Sequence, residues 1–99
     1  MFRADIPPHI SEVIRHLSPD LKRSIKAAVR ALCVNPSEGA PLVKELEGLW
    51  KYRVRRFRII YAIDRKRKVM RVMAIGHRRS VYEEVTEHLP KMKKGKFSK

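Results

Sequence analysis

The chain has 99 residues, and its 24 Lys and Arg against 10 Asp and Glu give a formal net charge of +14. This length and a hydrophobic content of 43% allow one domain with one compact core, which excludes disorder over residues 2–89. The single cysteine, Cys33, excludes an internal disulfide framework, and no apolar run approaches membrane-spanning length.

The charge indicates the class of partner. A nucleic acid is the first candidate, an acidic protein the second and an anionic membrane surface a weak third, because the basic residues lie on strand-like segments and not on one amphipathic helix. The first residues lack the apolar stretch of a secretory signal, so we expect a cytoplasmic protein.

The first third of the chain predicts a short strand and two helices. Residues 2–6 favour an edge strand, which the following prolines end. Apolar residues at helical spacing predict a first helix from Pro8 to Leu17. Ser18 is typical of an N-cap and predicts a second helix from Pro19 to Val34, which Asn35 and Pro36 terminate.

The rest of the chain predicts a loop, three strands and a helix. Residues 35–48 are rich in Pro, Gly and Ser and favour a loop. Strands are predicted over Leu49–Arg56, Phe57–Asp64 and Val69–His77, and a short helix over Ser80–Leu89.

This order, β-α-α-β-β-β-α, predicts an α+β fold in which an N-terminal strand and a helical hairpin pack on an antiparallel sheet. One sheet face buries the helices, and the other is expected to present arginines. We expect residues 1–90 to form one domain. Residues 91–99 carry five lysines and are expected to form a disordered basic tail.

The most basic part of the chain coincides with the predicted strands. Twelve of the 32 residues from Lys51 to Tyr82 are Lys or Arg, and only Asp64 is acidic. Strand alternation predicts one shared face for Met70, Val72, Ala74 and Gly76, with Arg78 continuing it. If the three strands pair in sequence order, four arginines converge on one surface: Arg53, Arg55, Arg58 and Arg78.

Such a surface suits a phosphodiester. RNA cleavage without a metal needs a group that takes the 2′-hydroxyl proton, cations that stabilise the extra charge on phosphorus, and an acid for the leaving oxygen. Arginines fit the second role but hardly ever release a proton. His77 and Tyr82 are the candidates for moving protons.

Each candidate also has a structural interpretation. The arginines are equally consistent with a plain docking face for RNA or DNA, His77 with a cap on the last strand, and Tyr82 with core packing. Tyr61 is interpreted as a core residue and Cys33 as a small buried one. Trp50 is interpreted as a core anchor, with stacking on a base as the alternative. The remaining histidines lack the spacing of metal ligands, so no metal or other cofactor is expected.

Three stretches resemble the RelE/ParE superfamily of bacterial and archaeal toxins: L-E-G-L-W-K-Y-R-V from Leu46 to Val54, F-R-I-I-Y-A-I from Phe57 to Ile63, and A-I-G-H-R-R-S-V-Y from Ala74 to Tyr82. The last stretch is similar to the ending of the RelE-like branch. The resemblance implies that family's fold, which is also that of microbial ribonucleases.

RelE-type toxins cleave mRNA in the ribosomal A site by in-line attack of the 2′-hydroxyl. By resemblance, Arg58 and Arg78 would stabilise the transition-state phosphate, and Tyr82 would stack on the target nucleotide or assist proton transfer. Where the best-known branch has two lysines, this chain has Arg53 and Arg55, so the base would have to be His77 or Tyr82. Further RNA contacts are expected from the other basic residues of this region: Lys51, Arg53, Arg55, Arg56 and Arg79.

The resemblance also implies partners and an alternative. A cognate antitoxin would cover the cationic surface, and promoter DNA would be met only through the toxin–antitoxin complex. The ParE-like branch poisons DNA gyrase and lacks the nuclease residues, so a gyrase poison is the runner-up. A non-catalytic nucleic-acid-binding module is the third hypothesis.

Overall fold

A computed structural model describes residues 1–43 and 46–77 of the chain. The elements in chain order are β1 (Arg3–Asp5), α1 (Pro8–Arg15), α2 (Pro19–Val34), a 3-10 helix (Pro36–Glu38), β2 (Ala40–Pro41), β3 (Leu49–Val54), β4 (Phe57–Asp64) and β5 (Val69–His77). The predicted helix over Ser80–Leu89 and the predicted tail lie outside the described residues, so both stay predictions.

The two helices begin and end close to where the sequence predicts. The Ser18 side chain accepts a hydrogen bond from the Leu21 backbone N–H and caps α2, with a proline in the first turn. The α1 helix ends at Arg15, two residues before the predicted end, and Leu17 lies in the connection. Both helices bury an aliphatic stripe against the sheet: Ile10, Ile14, Ile25, Val29 and Leu32.

The sheet has five strands in the order β1-β5-β4-β3-β2. The pairs β3–β4 and β4–β5 are antiparallel, as predicted, whereas the edge strand β1 runs parallel to β5. The short strand β2 lies in the predicted loop over residues 35–48 and pairs antiparallel with β3, so that part of the loop prediction is wrong. The α+β prediction is therefore confirmed, with one parallel pair at the edge. The sheet holds the predicted β3-β4-β5 pairing in the order in which the strands occur in the chain.

One sheet face packs against the helices and is called the helix face. It carries the main core, in which Ile59, Tyr61 and Val72 are fully buried. The opposite face is called the arginine face because it carries Arg53 and Arg58, whose neighbours in sequence belong to the helix-face core.

The predicted alternation along β5 is wrong because the strand is irregular. Ile60 pairs with Ala74 but Tyr61 pairs with Val72, so one extra residue, Met73, interrupts the register. Met70 and Val72 therefore belong to the helix-face core, whereas Ala74 packs on the arginine face.

The arginine face is also less polar than the sequence predicts. Leu49, Ile60 and Ala74 form a second buried cluster there, against which Leu42 and Leu46 pack from the segment before β3. Arg53 and Arg58 consequently occupy the end of this face next to the β3–β4 turn, and the apolar cluster covers the area beyond them.

Candidate active site

The centre of the candidate site is a pair of arginines on adjacent strands. Arg53 of β3 lies directly opposite Arg58 of β4, and Arg58 in turn lies opposite Gly76 of β5. Like charges at directly opposite sheet positions destabilise a sheet by roughly 0.2–1 kcal/mol. Sites that depart from the local rules of stability are often functional, and two arginines at paired positions of a sheet favour binding of an anion.

The arginine pair lines an open cleft of about 260 Å³. Lys51, two residues before Arg53, adds a third cation on the same face of β3. The other wall consists of Glu38, Gly39 and Ala40, which lead from the last residue of the 3-10 helix to the first residue of β2. Three cations and one carboxylate thus line the cleft.

Tyr61 fixes the wall that carries Glu38. Its hydroxyl donates a buried hydrogen bond of 2.6 Å to the Pro36 carbonyl oxygen, across the sheet edge. Just beyond, Ala40 pairs with Lys51 in the β2–β3 ladder. Between these two attachments a Cβ on Gly39 would lie 2.4 Å from both the Lys51 carbonyl oxygen and the Tyr61 hydroxyl oxygen, so only glycine fits there.

The burial of Tyr61 also affects its ionisation. Desolvation raises the pKa of the Tyr61 hydroxyl above its ordinary value, partly opposed by a backbone hydrogen bond from Gly39. Tyr61 therefore stays a neutral hydrogen-bond donor at physiological pH. The prediction that it is a core residue is confirmed, and Trp50 stacks near it on the helix face with ring centroids 6.4 Å apart.

Arg55 and Arg56 do not join the arginine pair. The sequence predicts them inside the strand, but β3 ends at Val54 and these two residues form the turn to β4. Arg55 has a φ of 57°, a left-handed conformation that removes it from the strand's alternation. Both residues line a separate hollow beside the start of α2, with Ser18, Leu21 and Phe57. The expected convergence of Arg55 with Arg53 and Arg58 is wrong.

His77 ends β5 opposite Phe57, and the two rings lie 4.5 Å apart between centroids. Phe57 packs against the helix-face core, so this contact holds His77 on the side of the sheet away from Arg58. Three other predicted site residues, Arg78, Arg79 and Tyr82, lie outside the described residues.

Glu38 is the cleft residue that the sequence analysis missed. The stretch 35–48 reads as a plain loop, but Asn35-Pro36-Ser37-Glu38 has the signature of a short helical start. In the structure the Asn35 side chain accepts a hydrogen bond from the Ser37 N–H and donates one of 3.4 Å to Glu38 Oε1. The local turn was therefore predictable, whereas its position opposite the arginines depends on the distant contact with Tyr61.

Residues 1–43 and 46–77 give little support for a metal site, a reactive cysteine or a membrane-spanning helix. No group of three His, Cys, Asp or Glu side chains lies together there in a way that would hold a metal ion. Burial raises the pKa of the Cys33 thiol, which disfavours the reactive thiolate, and Cys33 is half-buried against the core. In the same part of the chain, no helix is both long and apolar enough to cross a membrane.

The sequence matches the family model of ParE toxins of type II toxin–antitoxin systems over residues 5–82, which is most of the chain. The chain belongs to this family. It is therefore a toxin of the RelE/ParE superfamily, and the resemblance found in the three sequence stretches is confirmed. A search of curated proteins found no match.

Solved structures of RelE/ParE toxins share the fold. The toxin is similar to the RelBE2 toxin–antitoxin complex of Mycobacterium tuberculosis, with a TM-score of 0.69, 23% identity, and coverage of 78% of this chain and 98% of that chain. A mutant of Escherichia coli RelE in the free state gives a TM-score of 0.72 at 18% identity, covering 87% of this chain and 95% of that one. The YoeB–YefM complex of Staphylococcus aureus gives 0.63 at 15% identity, covering 78% and 97%.

Proposed function

We propose that this toxin is a metal-independent endoribonuclease that cleaves mRNA in the ribosomal A site and thereby inhibits translation. The observation that carries the proposal is the Arg53–Arg58 pair, which lines one cleft together with Lys51. Three fixed cations on a sheet are suited to hold a phosphodiester, and the ribosome as target implies a cytoplasmic protein.

The cleft accounts for the charge chemistry of the reaction. In-line attack of the 2′-hydroxyl on phosphorus adds negative charge to the phosphate oxygens in the transition state. Guanidinium groups donate two parallel hydrogen bonds to such oxygens and keep their own charge throughout. Arg58 is half-buried and fixed in the middle strand, so we assign it the main contact to the phosphate, with Arg53 as the second.

The residues after β5 complete the proposal by family resemblance. Arg78 lies two residues beyond Gly76 in the sequence, and Gly76 is the register partner of Arg58. We assign Arg78 to the transition-state phosphate and Tyr82 to stacking on the target nucleotide. The other basic residues, Arg55, Arg56 and Arg79, are proposed to contact neighbouring phosphates.

Induced expression of the toxin, followed by primer extension on an abundant mRNA, tests the function. We expect cuts within translated regions that disappear when the start codon is removed. Arg58→Ala should abolish cleavage and growth arrest. The matched control Arg71→Ala removes an arginine from the far end of the same face, where it pairs with Asp5 at 2.9 Å, and should leave both intact.

The gyrase-poison hypothesis has one finding in its favour, because the matching family model is that of ParE toxins. The same induction separates the two functions. Growth arrest with intact mRNA and a DNA-damage response would replace the nuclease by a gyrase poison. Normal growth with intact mRNA would leave a nucleic-acid-binding module.

A cognate antitoxin is the proposed protein partner, and we expect promoter DNA to be met only in its complex. Several similar toxins are solved as toxin–antitoxin complexes. The sequence led us to expect the antitoxin on the arginine surface, but we propose a different place for it on the helix side. A groove of about 440 Å³ between α1 and α2 fits an acidic amphipathic segment. Its floor is apolar, with Ile14, Ile25 and Val29, and its α2 rim carries cations at every fourth residue: Lys22, Lys26 and Arg30.

A further inference from the structure

We propose that Glu38 is the general base of the toxin, taking the proton from the attacking 2′-hydroxyl. The inference rests on the ribonuclease function proposed above and names a catalytic residue for it. It follows from the kinds of side chain that line the cleft: among the described residues, the cations cannot accept a proton and Glu38 can.

The cations of the cleft cannot take the proton. Guanidinium and ammonium groups have hydrogen-bond donors but no acceptor, so Arg53, Arg58 and Lys51 supply positive charge to the cleft and not a base. His77 contacts Phe57 on the other side of the sheet. Among the described residues that line the cleft, Glu38 is the one carboxylate.

The position of Glu38 is fixed by its neighbours. The Tyr61 hydroxyl holds the Pro36 carbonyl on one side, and Ala40 pairs with Lys51 on the other. Gly39 lies in contact with both the Lys51 backbone and the Tyr61 hydroxyl, so the wall cannot move away from the sheet without losing buried contacts. A general base must be held within hydrogen-bond reach of its proton, and such a double attachment supplies that rigidity.

The opposing walls leave space for the substrate. Glu38 forms no ion pair with Lys51, Arg53 or Arg58, all of which are described residues. Asn35 donates a hydrogen bond of 3.4 Å to Glu38 Oε1, which leaves acceptor capacity on the carboxylate. A ribose placed between the walls would turn its 2′-hydroxyl toward Glu38 and its 3′-phosphate toward the arginines.

The step balances without a cofactor. The Glu38 carboxylate accepts the 2′-hydroxyl proton while the 2′-oxygen forms a bond to phosphorus. The bond from phosphorus to the 5′-oxygen breaks, and the departing oxygen takes a proton from solvent water. The products are a 2′,3′-cyclic phosphate and a 5′-hydroxyl, and the proton on Glu38 returns to solvent.

Single-turnover cleavage of mRNA on programmed ribosomes tests the assignment with Glu38→Gln, which keeps the side chain's shape and its contact from Asn35. We expect the cleavage rate to fall by about 100-fold or more, with unchanged binding to the ribosome. The residual rate should rise in proportion to hydroxide concentration, because hydroxide replaces the missing base. Glu12→Gln removes the same charge from an exposed position on α1 and should cleave like wild type.

The outcomes separate the inference from the function it rests on. Wild-type cleavage with an equally active Glu38→Gln variant would overturn the role of Glu38 and keep the ribonuclease. No cleavage by wild type under conditions in which it arrests growth would overturn both. A thermal unfolding curve of the variant that superimposes on that of wild type assigns the lost rate to chemistry, and a lost rate explained entirely by unfolding would overturn the inference.

Discussion

Gly39 is the residue on which the geometry of the cleft depends most directly. We expect Gly39→Ala to lower the free energy of unfolding by about 1–3 kcal/mol, because its methyl group would overlap the Lys51 carbonyl and the Tyr61 hydroxyl. Urea unfolding measures the change. A double-mutant cycle with Tyr61→Phe provides the control, since removing the hydroxyl relieves one of the two overlaps.

In that cycle, Gly39→Ala should cost less in the Tyr61→Phe background than in wild type. If Gly39→Ala lowers the free energy of unfolding equally in both backgrounds, overlap with the Lys51 backbone alone accounts for the loss. No cost in either background would contradict the close approach of this segment to the sheet.

Tyr61 also predicts how stability depends on pH. Because burial raises the folded-state pKa of the Tyr61 hydroxyl, the folded state holds the proton more tightly than the unfolded state does. The resulting stabilisation is complete below about pH 10, the ordinary pKa of tyrosine, and is lost as the pH rises through the folded-state pKa. Tyr61→Phe lacks this dependence.

Tyr61→Phe should therefore be less stable than wild type by about 1 kcal/mol at neutral pH, through loss of the hydrogen bond to Pro36. That difference should shrink above about pH 10. Unfolding titrations of both proteins measure it, and a difference that stays constant through the alkaline range would contradict the proposed cause.

At the scale of elements, the β3–β4 hairpin shows what the sequence could predict. Tyr61 was correctly predicted as a core residue, and pairing in chain order correctly brought Arg53 and Arg58 together. The bounds of the turn were missed because neither Arg55 nor Arg56 is a Gly, Asn or Asp, the residues that normally mark a two-residue turn.

Two further features of the fold depend on tertiary contacts that leave little trace in local sequence. The extra residue near Met73 shifts the β5 register without any glycine or proline to indicate it. The wall that carries Glu38 has a local turn signature, but its place opposite the arginines depends on the hydrogen bond from Tyr61 to Pro36, which are 25 residues apart. The cations of the cleft could therefore be predicted from the sequence, whereas the presence of the Glu38 carboxylate in the cleft could not.

The turn residue Arg55 tests whether function opposes stability in this hairpin. A non-glycine residue in the left-handed region costs roughly 1–2 kcal/mol, so Arg55→Gly should raise the free energy of unfolding by about 0.5–1 kcal/mol after the entropy of glycine is subtracted. The variant should also bind RNA more weakly. Unfolding titrations and RNA binding measure the two effects.

Lys68 is a matched control for Arg55, because its φ is 59° and it lies in the β4–β5 turn, among residues not assigned to RNA contact. Lys68→Gly should stabilise the fold less than Arg55→Gly, because it also removes the contact of Lys68 Nζ with the Phe2 ring, 5.8 Å from the ring centroid. It should leave RNA binding unchanged. Weaker RNA binding by both variants would show that the loss of one positive charge weakens binding regardless of its position. Unchanged binding by both would show that Arg55 does not contact RNA.

At the scale of the whole molecule, the net charge is +14, and two of the described surfaces that carry part of it lie apart on the fold. The arginine cleft lies on one side of the sheet, and the cationic rim of α2 lies on the helices that cover the other side. Self-repulsion of this size disfavours the compact state, so each surface gains when a partner of opposite charge binds to it. Two separate surfaces allow an antitoxin and an RNA to be recognised by different residues.

Two variants of equal net charge test this division. Arg53→Gln with Arg58→Gln removes two charges from the cleft, and Lys22→Gln with Lys26→Gln removes two from the groove rim. Because each phosphate contact to a single strand contributes about 0.7 to the dependence of log affinity on log salt, the cleft variant should lower that slope by about 1.4 for an uncleavable RNA oligonucleotide. The rim variant should keep the slope and instead bind the product of the adjacent antitoxin gene about tenfold more weakly, a loss of roughly 1.4 kcal/mol. Equal losses by both variants for both partners would mean that overall charge, and not its position on the fold, determines what this toxin binds.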